Sequence, residues 1–156
     1  MYDGDPYLYR SYDRHVRLDD ETQDRLAEYR TTNIARLKTG LGKLEKALPK
    51  RTCDQGSFAM DTMVQHPEND YDIDTGVIFD VSDLPSDPYA RQDVLDGIKA
   101  GGGNFKKEPE RRTNAVTVWY ADGYHIDLAV YRRSTDAGKN LLSTRVQRGQ
   151  NVIRQT

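Results

Sequence analysis

The run YDIDTGVIFDV, residues 71–81, alternates like a β-strand and yet sets Asp72 and Asp74 two apart, with Asp70 just ahead of them. Successive side chains of a strand point to opposite faces. Asp72 and Asp74 therefore share one face, about 7 Å apart at the backbone, while Ile73 faces the other way. Aspartate is a poor strand residue, and like charges on one face repel. A shared divalent cation removes that repulsion, and Mg²⁺ suits carboxylates because it takes hard oxygen ligands. Two such ions bridged by carboxylates are a standard apparatus for in-line attack on a phosphate.

The rest of the chain supplies elements to hold such a strand. Leu26, Ile34, Leu37, Leu41, Leu44 and Leu48 recur at helical spacing, Asp19 and Asp20 suit a first turn, and Pro49 ends the run. This predicts one long amphipathic helix over residues 19–48, weakened and bent near Gly40 and Gly42. The tyrosine-rich residues 1–18 read as irregular. Residues 51–55 read as extended, Gly56-Ser57 as the opening of a short apolar segment through Val64, and HPEND (66–70) as a loop. Pro88 suits the first position of a helix over YARQDVLDGIKA, which Gly101–Gly103 would end. AVTVWYADGYHIDLAVYR reads as a hairpin turning at Asp122-Gly123. Lys106, Lys107, Arg111 and Arg112 read as a solvated loop ahead of it. The resulting order predicts an α+β fold, a mixed sheet with helices on one side.

At 156 residues the chain fits one domain. Its 36% hydrophobic and 31% charged residues describe a globular protein with a thin core. No apolar stretch is long enough to span a bilayer and the first residues lack a signal core, so a cytoplasmic location is expected. The single cysteine, Cys53, reads as a small buried apolar residue. Charge is uneven: residues 1–131 hold 17 basic and 24 acidic residues, a balance of −7, whereas 132–156 hold six and one, a balance of +5. That tail reads as a solvated terminal segment.

Asp127 sits between Ile126 and Leu128 in HIDLAVY, where packing alone calls for an apolar or neutral residue. If this strand lies beside residues 71–79 with Asp127 on the same face, three carboxylates converge. One of them can then accept a proton from an attacking hydroxyl. Gly56 lets the backbone approach an anion, and the following amides with the Ser57 hydroxyl can donate to phosphate oxygens. His66, a loop residue, and His125, beside Asp127, read as neighbours rather than as chemical groups.

QGSFAMDTMV, YDIDTGVIF and YHIDLAVYR together resemble the polymerase-β-like nucleotidyltransferases. More narrowly they are similar to the bacterial CD-NTases, the cGAS- and DncV-like synthases of CBASS anti-phage systems, over roughly residues 15–133. The resemblance implies a nucleotidyltransferase catalytic lobe over 1–133, with the long first helix and further helices packed on a mixed sheet. Gly56 and Ser57 would hold the donor triphosphate. Asp72 and Asp74 would bind both Mg²⁺ ions, with Mn²⁺ able to substitute, and Asp127 would complete the metal site and assist deprotonation of the acceptor hydroxyl. Nucleoside triphosphates would be joined into a cyclic oligonucleotide with release of pyrophosphate, and the product would act on a separate effector. No membrane or nucleic-acid partner is implied. The family continues into a helical second lobe, whereas residues 134–156 here form a basic tail, so a truncated or frameshifted chain lacking that lobe is expected. Two other readings stand beside it: a minimal toxin–antitoxin nucleotidyltransferase that adds AMP to a partner protein, and an inactive lobe that only binds nucleotide.

Overall fold

The computed structural model describes residues 5–68, 70–84, 87–121, 123–136, 139–143 and 153–154. Its sheet is assembled from β1 (Arg51–Asp54), β2 (Asp72–Asp80), β3 (Lys107–Arg111), β4 (Ala115–Trp119) and β5 (His125–Asp136) in the spatial order β1-β2-β5-β4-β3. β2 and β5 run parallel and the other neighbours antiparallel, which makes the sheet mixed. The β4–β5 hairpin forms as its sequence predicts, with Gly123 at φ 94°. β5 continues through residue 133 to Asp136, where β6 (Lys139–Ser143) pairs with it and in turn pairs with β7 (Ile153–Arg154).

Two helices cover one face, α2 (Asp20–Lys43) and α4 (Asp87–Gly101). Leu26, Leu37 and Leu41 from α2 and Ala90, Val94 and Ile98 from α4 are buried with Ile73, Val77 and Phe79 of β2 and Ile126, Leu128 and Val130 of β5. The alternation of β2 and β5 thus places every second residue in this core and its neighbours on the opposite face. Asp19 caps α2, its carboxylate accepting from the Thr22 amide at 2.8 Å.

Several expectations are corrected. Residues Asp5–His15 are helical (α1), with Asp5 in the first turn and Arg14 and His15 in the last, where they complement the helix dipole. None of its residues is buried; Tyr7, Leu8, Tyr9 and Tyr12 are all exposed. α2 stops at Lys43, short of residue 48. The Lys46 amide donates to the Leu41 carbonyl at 2.9 Å and that of Glu45 to Gly42 at 3.1 Å, with Glu45 at φ 55° in the place glycine usually takes. Leu44 and Leu48 are consequently exposed. Gly40 serves close packing: a Cβ there would lie 1.7 Å from the Gly97 carbonyl oxygen of α4. The segment after Gly56 makes a single turn, α3 (Gly56–Ala59), and does not reach Val64. Residues 107–111 form the edge strand β3 rather than a loop. Cys53 is half-buried, its sulfur lying over Gly76.

Candidate active site

Parallel register sets Asp74 directly opposite Asp127 and Asp72 opposite His125. On the other side of β5, Thr117 faces Asp127 and Trp119 faces His125. Two rows therefore cross the face away from the helices, Asp74–Asp127–Thr117 and Asp72–His125–Trp119, at the beginnings of the two parallel strands. Asp72, Asp74 and Asp127 each present an oxygen within 4.8 Å of the other two. All three sequence-predicted acids converge.

Gly56 meets the same cluster from β1. That strand leaves its pairing with β2 at Asp54, the Gln55 amide donates to the Asp74 carbonyl at 2.9 Å, and the chain turns at Gly56 into α3. Gly56 takes φ 63°, and a Cβ on it would lie 2.5 Å from Asp74 Oδ2. The backbone conformation favours glycine, and a side chain there would displace the Asp74 carboxylate. Ser57 borders a cleft of about 240 Å³ together with Met63, Val64, His66, Tyr71 and Asp72. A second cleft, also of about 240 Å³, is lined by Asp70, Arg112, Thr117, Trp119, His125 and Asp127. Asp72 thus borders the first cleft, Asp127 the second and Asp70 both.

The electrostatics record the crowding. Burial raises the Asp72 carboxyl to about 6; Asp74, Asp127 and Asp70 push it the same way, and His125 opposes them. Asp74 is also raised, by burial and then by Asp127, again opposed by His125. His125 lies between two carboxylates, Nδ1 at 3.5 Å from Asp70 and Nε2 at 3.4 Å from Asp72. It is a charge neighbour of the acids, closer to them than its sequence position alone implies, although strand parity with Asp127 could have placed it. Lys107 and Arg112 lie over the Trp119 ring, 4.1 Å and 5.4 Å from its centroid. The basic cluster of β3 thereby reaches the edge of the site. Thr117 was not among the residues the sequence pointed to, since its partnership with Asp127 depends on hairpin register.

The architecture defines a class: a mixed sheet with acids on the starts of adjacent strands and a glycine-led turn against them, the polymerase-β-like nucleotidyltransferase fold of the CD-NTases. The fold is similar to CdnG of Bradyrhizobium diazoefficiens, a CD-NTase solved with GTP, at TM-score 0.63 and 20% identity over 82% of this chain and 37% of that one. It is likewise similar to CdnC of E. coli MS115-1 solved with ATP (TM-score 0.64, 22% identity, 86% and 43% covered). The cyclic AMP-GMP synthase DncV of Vibrio cholerae, solved with a linear pppApG intermediate, matches at TM-score 0.58 and 15% identity, with 90% and 55% covered. The chain spans between about a third and just over half of these relatives. It belongs to the family of cyclic GMP-AMP synthase DncV-like nucleotidyltransferase domains, whose model matches residues 49–131. Among the described residues no helix is long and apolar enough to cross a membrane.

Proposed function

We propose that this chain carries the catalytic lobe of a cyclic-oligonucleotide synthase, and that Asp72, Asp74 and Asp127 hold Mg²⁺, or Mn²⁺ in its place. The observation that carries the reading is the meeting of those three carboxylates on one sheet face. The donor set fits the ion. Three hard oxygen ligands lie close together, nitrogen and sulfur ligands are absent from the triad, and Gly56 leaves room beside Asp74. Bound there, the ion neutralises charge on the phosphates and on the carboxylates alike.

The chain's own groups then have distinct tasks. The Gly56–Ser57 turn and the Ser57 hydroxyl hold the donor triphosphate beside Asp74. Asp127 takes the proton of the acceptor hydroxyl. That oxygen forms a bond to the α-phosphorus, the bond from the α-phosphorus to the β-phosphate oxygen breaks, and pyrophosphate leaves. A second transfer of the same kind closes the ring. The cyclic product acts on a separate effector in anti-phage defence, as the family membership suggests.

Incubating the chain with the four labelled nucleoside triphosphates and Mg²⁺ or Mn²⁺, then treating with phosphatase, tests this. The expected result is a phosphatase-resistant nucleotide that vanishes in the Asp72→Asn, Asp74→Asn double variant. Turnover retained by that variant, or label transferred to a protein in place of a resistant nucleotide, overturns the proposal.

A further inference from the structure

We propose that Thr117 is a positioning residue that orients Asp127 for the cation, an inference resting on the reading above that the acid triad holds one. Thr117 is 2% exposed and lies directly across the β4–β5 pairing from Asp127. Its hydroxyl donates to Asp127 Oδ1. The strand around it is apolar: Ala115, Val116 and Val118 are all buried. Packing alone would be met at position 117 by valine, which has nearly the shape of threonine. A buried hydroxyl there needs a partner, and the partner is the acid.

Two features make this contact suited to orientation. Threonine is β-branched and stiff about χ1, so its oxygen is held in place by the strand itself. The hydroxyl carries one proton, and giving it to Oδ1 restrains the carboxylate while leaving Oδ2 unclaimed by Thr117. Carboxylates that bind metals are commonly tied in this way, and loss of the tie weakens the metal by about 10- to 100-fold.

Mn²⁺ titrations of the full chain, followed by the electron paramagnetic resonance signal of the free ion, test the inference without any turnover, with thermal melts in EDTA as the control. Thr117→Val should bind Mn²⁺ about tenfold or more weakly than wild type, while Thr117→Ser, which keeps the hydroxyl but not the stiffening methyl, should bind between the two. Should the valine chain fail to fold, Thr117→Cys replaces it, since a thiol is a weak donor, and the same loss is expected. Wild-type affinity in the valine or cysteine variant overturns the role. So does a serine variant as weak as valine, which would assign the effect to the lost methyl. Failure of the underlying reading looks different: wild type itself would then bind Mn²⁺ no better than the Asp72→Asn, Asp74→Asn variant.

Discussion

Asp72→Asn should stabilise the cation-free chain at neutral pH and remove the extra stability a divalent cation adds. Burial, aided by the neighbouring acids and opposed by His125, lifts the Asp72 carboxyl from 3.8 to about 6. Within that window the folded chain keeps a proton the unfolded chain has released, so stability is full below pH 3.8, falls as the pH rises and stays reduced above about 6. At about 1.36 kcal/mol per decade the full penalty is roughly 3 kcal/mol. The Asp72 side chain is 47% exposed, and solvent screening cuts this to about 1–1.5 kcal/mol. Asparagine removes the penalty, which for a chain of this size raises the melting temperature by about 3–5 °C. Circular-dichroism melts in EDTA at about pH 7.5 should show that gain, and at about pH 4.5, low in the window, roughly a third of it. Adding Mg²⁺ at about 100 times its Kd should then stabilise wild type by about 2.7 kcal/mol and the variant far less. A variant that melts at or below wild type at pH 7.5, or a gain that ignores pH, would refute the argument from crowded carboxylates.

Gly56→Ala should cost about 1–2 kcal/mol for the left-handed backbone alone. It should also weaken Mn²⁺ binding, because the new methyl would sit 2.5 Å from Asp74 Oδ2; denaturant melts and ion titration check both, and an unchanged pair of values sinks the cradle. Gly40→Ala should cost about 3 kcal/mol, because its methyl meets the Gly97 carbonyl at 1.7 Å and α2 must move off α4. Gly42→Ala, with nothing within 4 Å, should instead be neutral or stabilising by up to about 1 kcal/mol, and urea melts of the two variants decide whether packing or helix propensity governs this end of α2.

The acids were legible because parity within a strand decides which residues share a face: 72 with 74, 125 with 127. What brings Asp127 to Asp74 is pairing between strands, a property no single segment contains, and the parallel β2–β5 register supplies it. Thr117 escaped for the same reason one strand further on. β3 was illegible because KEPER offers four charged residues and a proline with only Pro109 buried, a pattern that an edge strand tolerates and a loop shares. The end of α2 was misplaced because Glu45 occupies a left-handed position where glycine is the usual signal, and Pro49 lies beyond the true stop. Gly40 and Gly42 look alike in sequence, yet one lies against α4 and the other meets nothing. Propensity sees both as weak helix formers; only the neighbour tells them apart.

The division of the sheet explains why charge at the site is tolerated. Ile73 and Ile126 point into the helix-covered core while Asp72, Asp74 and Asp127 point away from it, so the same backbone carries burial on one side and repulsion on the other. The repulsion falls at the starts of β2 and β5, where the strands leave Tyr71 and Tyr124. Further along, the exposed-side partners become Gly76 and Ala129, Ile78 and Tyr131, and the face closes over with apolar contacts, including the Tyr131 ring and Cys53 against Gly76. Core burial therefore continues past the acids on both faces. A substitution such as Asp72→Asn changes the local charge without opening a cavity, and its effect should track pH and cation rather than the integrity of the fold.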